Sequence, residues 1–226
     1  MATHILSNFE DALRELRNDA LMMASLTERN LENARKGLFE RDEDWCNTVI
    51  ADDEEIDALE VQVDTAGIAV MLRFHPVATD LRVVLAAMKL SVNLERIADQ
   101  AVNIARRGRK LIHREPISEL HLIEPIYLFA SSMLQDANKA YAENDVDLAR
   151  TLKPRDRELD AMNKALAEKA TDLMPGNPNA IPSYLDLIFI SRFLERVGDQ
   201  AKNIAEDTVF AVMHEDIRHQ LRAEED

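Results

Sequence analysis

The sequence predicts an all-α protein of two tandem, pseudo-symmetric three-helix bundles, and three observations lead there. First, only five Gly and seven Pro stand among 226 residues rich in Ala, Leu, Glu, Asp, Arg and Met. Such a composition favours helix and leaves few places to turn. Second, Leu94-Glu95-Arg96-Ile97-Ala98-Asp99-Gln100-Ala101-Val102-Asn103-Ile104-Ala105 returns 100 positions later as Leu194-Glu195-Arg196-Val197-Gly198-Asp199-Gln200-Ala201-Lys202-Asn203-Ile204-Ala205. Third, apolar residues follow a helical period through long stretches, interrupted by clear turn signals.

Taken in order, the first helix is predicted over 5–40, the second over 44–73 and the third over 77–113. Phe74-His75-Pro76 breaks the pattern between the second and third. Pro116 separates the halves, so the chain divides into a first repeat at 1–115 and a second at 116–226. The fourth helix is predicted over 119–143 and the fifth over 146–173, with Pro154 expected to kink the fifth or shorten its first turn. Residues 175–182, which hold three prolines and a glycine, lead into a sixth helix over 183–222. The mostly charged sequence from His214 onward is expected to fray. Long helices joined by short turns run antiparallel, making each half an up-down-up bundle.

The duplication extends beyond the twelve residues. A shift of 103 aligns Ala34, Lys36, Glu40, Asp42 and Asp44 with Ala137, Lys139, Glu143, Asp145 and Asp147. The same shift aligns Asp53, Glu55, Asp57 and Ala58 with Asp156, Glu158, Asp160 and Ala161. The second half is therefore the first again, three residues shorter near its turn.

A formal charge of −15 repels phosphate backbones and argues against nucleic acid as a partner. Cys46 is the sole cysteine, which excludes an internal disulfide and leaves no thiol cluster for a metal. No apolar run reaches membrane-span length, and Met1 to Arg17 lacks a signal peptide's apolar segment, so a cytoplasmic protein is expected.

The chemistry lies in the duplicated acids. Glu95, Asp99 and Asn103 stand four residues apart and share one helical face, as do Glu195, Asp199 and Asn203. A helical wheel places the first set in line with Leu81, Leu85, Met88 and Val92, whereas Arg82, Lys89, Arg96, Gln100 and Arg107 lie elsewhere. On the preceding helices Asp53 pairs with Asp57, and Asp156 with Asp160. Counted from Pro76, Asp57 and Glu95 are both 19 residues away and Asp53 and Asp99 both 23, so antiparallel packing brings these four carboxylates level. In the second half, Asp160 and Asp156 lie 15 and 19 residues before Pro175, and Glu195 and Asp199 lie 13 and 17 after Pro182.

Four carboxylates at one level would repel by several kcal/mol at a protein surface, a penalty that a multivalent cation removes. Oxygen-only ligands select hard ions such as Mg²⁺, Mn²⁺ or iron. No histidine falls in the acidic motifs, and the ExxH spacing of ferritin-like di-iron sites is absent. Against this stands the simpler fate of an ExxxD pair on a long helix, which is to be solvated or salt-bridged, with Arg96 and Arg196 as available partners. The cations from Arg106 to Arg114 complement a helix C-terminus or contact an anion. Met22, Met23, Met71, Met88 and Met133 are expected in the core, Trp45 in packing and His75 in a turn.

The duplicated motif, with Pro76-Val77-Ala78-Thr79-Asp80-Leu81-Arg82 leading into it, resembles the PhoU family of bacterial phosphate-uptake regulators across almost the whole chain. The resemblance implies two tandem three-helix bundles and metal ions, in some members multinuclear, held at positions matching Asp53, Asp57, Glu95, Asp99 and Asn103, then Asp156, Asp160, Glu195, Asp199 and Asn203. It further implies a cytoplasmic protein, often a homodimer, that restrains phosphate uptake through the phosphate ABC transporter and its ATPase subunit and the phosphate-sensing histidine kinase, with peripheral rather than spanning membrane association. Ala98 stands where that family commonly has glycine, and His75 where it often has glutamine. Two other readings remain open on the residues alone: a carboxylate-bridged metalloenzyme, for which no general base is evident, and a metal-free acidic adaptor.

Overall fold

The computed structural model describes residues 2–214, and among them there are helices and turns but no strand. The first half comprises α1 (Ala2–Phe39), α2 (Glu43–Phe74) and α3 (Thr79–Ile112). The second comprises α4 (Glu124–Glu143), α5 (Val146–Arg150), α6 (Leu152–Leu173) and α7 (Ile181–Met213). Each half has the predicted three-helix arrangement, with the middle helix of the second divided into α5 and α6, and α3 packs on α7 to join them.

Local chemistry sets the boundaries. Asp42 is extended and accepts the Asp44 N–H at 2.8 Å, opening α2, whose first turn carries Glu43 and Asp44 at the positive end of the dipole. The helix closes at His75, left-handed at φ 49°, whose N–H bonds the Met71 carbonyl. The predicted fifth helix is divided. Asp145 caps Leu148 N–H at 2.9 Å to start α5, then the ladder breaks at Thr151, because Pro154 has no N–H for the Arg150 carbonyl. The fourth helix also differs from expectation at its start. Residues Ser118–Ile123 wind as a 3₁₀ segment, and α-helix begins only at Glu124. Pro125 cannot donate the bond that would extend the α ladder backward. The proline-rich connection forms two 3₁₀ turns, with Pro182 tolerated in the first turn of α7. The helix expected to reach 222 is observed through Met213; its remainder, and the fraying expected there, lie outside the described residues.

The buried apolar side chains form one cluster running through both halves, with a small satellite of Ala170, Ala180 and Tyr184 beneath the proline-rich turns. Met23 and Met133 are fully buried and Met71 and Met88 partly so. Met22 departs from expectation: it is 55% exposed, because it lies on the solvent face of α1 beside the buried Met23. Trp45 is half-buried beneath the Lys36 ammonium, which sits 4.6 Å from its ring centre.

Gly37 permits the tight junction of α1 with α2. A Cβ there would stand 2.5 Å from Cys46 Sγ, 3.1 Å from the Cys46 nitrogen and 3.3 Å from the Asp42 carbonyl oxygen. Two of these neighbours are backbone and cannot give way cheaply. Gly37→Ala is therefore expected to destabilise by about 1–3 kcal/mol despite alanine's better helix propensity; urea unfolding checks this, and an unchanged or raised midpoint would count against it.

Two ion pairs fix the antiparallel register of α3 on α7. Lys89 Nζ meets Asp207 Oδ1 at 2.7 Å, and Arg107 Nη1 meets Asp186 Oδ1 at 2.5 Å. That register sets Ile97 and Val197, the middles of the duplicated motifs, opposite one another. Both are fully buried. A further tie between halves is the buried Tyr127 hydroxyl on α4, which donates to the Leu31 carbonyl of α1 at 2.7 Å.

Candidate functional site

In the first half α2 and α3 bring Asp53, Asp57, Glu95 and Asp99 into one electrostatic group. Burial pushes the Asp53 carboxyl up to about 6, with Asp57 and Asp99 adding to the rise and Arg106 opposing it. Glu95 is raised by burial, then by Asp99, Glu60 and Asp57, against Arg96. The influence of Asp99 on Asp53 follows the level pairing counted from the turn, while Glu95 is influenced from α2 by Glu60 ahead of Asp57. Glu60, one turn beyond Asp57, belongs to the same group: burial, Asp64 and Asp57 raise it, and Arg96 opposes them. Its signal was available in the sequence as a third acid on the Asp53–Asp57 face, but the two copies do not share it, since Asn163 takes its place in the second half. Among the described residues none of Asp53, Asp57, Glu95 and Asp99 forms an ion pair.

The second half handles its acids differently. Lys202 reaches between α6 and α7, donating to Asp156 Oδ2 at 2.5 Å and to Asp199 Oδ1 at 2.9 Å. Asp156 is 8% exposed, the most buried carboxylate of either set. Burial still raises its carboxyl, while the Lys202 hydrogen bond and charge oppose that, and Asp199 and Asp160 reinforce it. Burial disfavours the charged Lys202 ammonium, but the two carboxylates more than offset this and hold it above the usual lysine range. Glu195 is engaged as well. Arg192 Nη1 lies 3.0 Å from its Oε2, and Asn163 Nδ2 donates to the same oxygen at 3.2 Å. Ser191 Oγ in turn donates to Asn163 Oδ1 at 2.6 Å, fixing the amide's orientation. Asp160 is exposed.

The two asparagines are half-buried one turn beyond Asp99 and Asp199. Asn203 faces a groove of about 620 Å³ between the halves, which it lines with Leu85, Met88, Lys89, Val92 and Asp207. The apolar stripe assigned to the acidic face of α3 thus forms a groove wall, and Leu85 is 38% exposed. The deep core contacts of α3 come instead from Val84, Leu90, Leu94, Ile97 and Ala101.

The basic end of α3 resolves into particular pairs. Arg107 in the last turns of α3 and Arg114 just beyond its end both grip Asp186, whose side chain is 3% exposed. Arg107 also covers the Phe189 ring at 4.0 Å. Arg109 Nε lies 3.0 Å from Glu43 Oε1. Asp186 has no aspartate at the equivalent position of the first repeat, where Ala86 stands, so the duplication did not mark it.

Chemistry of the donors decides how well a hard cation fits each set. Among the described residues no three His, Cys, Asp or Glu side chains converge closely enough to hold a metal as they stand. In the first half the donors are oxygen-only, mutually repelling and without ion-pair partners, and exposed Asp57 and Asp99 are free to change rotamer. That set fits a hard cation. In the second half a lysine already provides the positive charge between the same positions, and the set does not fit without displacing it.

The family model described as the PhoU domain matches residues 20–108 and again 124–208. The chain is 32% identical to the phosphate-specific transport system accessory protein PhoU homolog of Pseudomonas putida, over 96% of this chain and 85% of that protein. Its identity to the accessory protein PhoU of Escherichia coli K12 is 29%, over 96% and 90%. The crystal structure of PhoU from Pseudomonas aeruginosa aligns with a TM-score of 0.89 and 31% identity, covering 92% of this chain and all of that one. The phosphate transport system regulatory protein PhoU of Streptococcus pneumoniae shares the fold, with a TM-score of 0.85 over 92% and 99% at 24% identity.

Proposed function

The chain belongs to the PhoU family, and on that premise we propose that it is a non-enzymatic, metal-binding accessory protein that restrains phosphate uptake and phosphate-starvation signalling. The observation that carries the metal part is the first-half array, where Asp53 is pushed up to about 6 by burial and by its acidic neighbours without an ion-pair partner. Asp53, Asp57, Glu95 and Asp99, with Asn103 and Glu60 at the margin, would hold a hard cation such as Mg²⁺, Mn²⁺ or iron. The cation, when bound, supplies charge neutralisation. The protein's own residues set its place: half-buried Asp53 presents its carboxylate from α2, and Glu95 and Asp99 present oxygens from α3 one turn apart. Binding there would brace α2 against α3 at the level where their carboxylates otherwise push apart.

The regulatory part rests on the family's accessory role in phosphate transport. The partners proposed are the ATPase subunit of the phosphate ABC transporter and the phosphate-sensing histidine kinase, met in the cytoplasm by a homodimer. Among the described residues no helix is long and apolar enough to cross a membrane, in keeping with contacts made by surface docking.

A strain lacking this protein is expected to over-accumulate phosphate and to express phosphate-starvation genes in phosphate-rich medium. Normal accumulation together with normal repression would sink the regulatory reading. Elemental analysis of protein purified without added metal tests the other part, which requires iron, manganese or magnesium that is lost on replacing Asp53 and Asp57 by asparagine.

A further inference from the structure

The two halves carry the same acids at equivalent positions, yet differ at several positions that decide charge compensation. Lys202 corresponds to Val102, Arg192 to Val92, Asn163 to Glu60 and Ala167 to Asp64. Each of these four differences makes the second set less negative than the first, whereas Glu206 in place of Arg106 runs the other way. Geometry shows the consequence. The Lys202 side chain is only 21% exposed, and its ammonium lies 2.5 Å from Asp156 and 2.9 Å from Asp199. Those two carboxylates are the counterparts of Asp53 and Asp99, the pair at one level across α2 and α3. Val102, by contrast, is 2% exposed and offers no charge.

We propose that Lys202 takes the place of a metal ion in the second repeat: its ammonium ties α6 to α7 through Asp156 and Asp199, so the protein's capacity for hard cations resides in the first repeat. This rests on the metal reading above for the first repeat, but the lysine tie is independent of it. An ammonium on a flexible stem needs no coordination sphere and satisfies two carboxylates at once with charge-assisted hydrogen bonds. The second acid pair is thereby a permanent internal brace, and only the first responds to metal supply. Arg192 and Asn163 complete the arrangement by engaging Glu195, so that among the described residues Asp160 is the acid of the second set outside an ion pair.

The test uses the full chain and Mn²⁺ as probe, with Lys202→Met keeping the stem while removing the charge. With chelator present, K202M is expected to melt below wild type, since two facing carboxylates lose their shared cation. Added Mn²⁺ should restore it, and electron paramagnetic resonance should count an additional bound Mn²⁺ relative to wild type. This additional binding should persist when D53N and D57N are introduced, whereas in a Lys202 background those two changes should abolish Mn²⁺ binding. The reciprocal V102K change should remove binding from the first repeat. Equal melting of K202M and wild type in chelator would overturn the lysine tie. Mn²⁺ bound by wild type and lost in D156N/D199N would also overturn it, by showing that metal displaces the lysine. Absence of Mn²⁺ binding by wild type, with K202M still melting lower in chelator, sinks the metal reading of the first repeat and leaves the tie standing.

Discussion

Replacing Asp186 by alanine is expected to cost about 3–5 kcal/mol of stability, the range for removing one partner of a buried ion pair. In a chain of this size that corresponds to a melting temperature roughly 10 °C lower. Asp186 lies near the start of α7, and Arg107 and Arg114 near the end of α3 converge on its two carboxylate oxygens. Its side chain is 3% exposed, against 26% for Arg107 and 35% for Arg114. Loss of the carboxylate strands Arg107 where water reaches it poorly, whereas Arg114 can swing into solvent. The loss should therefore be largely recovered by a second change, Arg107→Met, which removes the stranded charge while keeping a long apolar stem against Phe189. Thermal melts of both variants check this. A single variant within a degree or two of wild type, or a double variant worse than the single, would show that the pair does not hold α3 to α7.

That pair also marks where the sequence stopped being informative. Helix existence, the number of long helices and the turns at Phe74-His75-Pro76 and at residues 175–182 were legible, because proline and helical periodicity act locally. Register between the halves was not. It depends on long-range pairs such as Arg107 with Asp186 and Lys89 with Asp207, neither of which has a local signature. The start of the fourth helix was misplaced for a related reason: Pro125 is compatible with a first turn but not with an α ladder running back to Ser118, and periodicity alone does not separate a 3₁₀ lead-in from helix.

The placement of the acids was legible to a similar depth. Counting residues from each turn put Asp53 level with Asp99 and Asp57 level with Glu95; Asp99 acts on Asp53 as that pairing expects, whereas Glu95 is influenced across the helices by Glu60 ahead of Asp57. Counting treated the two copies as equivalent, since it attended to the residues they share. The difference in charge compensation lies in residues they do not share. Lys202 reads as a surface lysine in a repeat whose other copy has valine, and only the closeness of its ammonium to Asp156 and Asp199 reveals a counterion. A comparison of the copies for charge changes, rather than for identities, would have found it.

The other large expected effect is a pH dependence centred on Asp53. A free aspartate titrates near 3.9, whereas burial, with Asp57 and Asp99, raises this one to about 6 in the fold. Between those two values the folded state holds more protons than the unfolded state, so stability falls as pH rises. The contribution is fully present below the unfolded value and is lost as pH passes through the folded one. Glu60 and Glu95, also raised, act in the same sense. Metal-free protein should therefore melt lower at pH 7.5 than at pH 5.5, and Asp53→Asn should flatten that slope. At pH 7.5 without metal the variant should be the more stable by about 1 kcal/mol, a figure reduced from the full shift because the group is partly exposed. Mn²⁺ should reverse the order. It binds the ionised carboxylates, so wild type should gain most at pH 7.5 and little at pH 5.5, where the proton competes for the same oxygens. Calorimetric melts of both proteins at the two pH values, with chelator and with Mn²⁺, distinguish these cases. A metal-free variant less stable than wild type at pH 7.5 would mean that Asp53 is already compensated by a partner such as Arg106, leaving no unmet charge for a cation to neutralise.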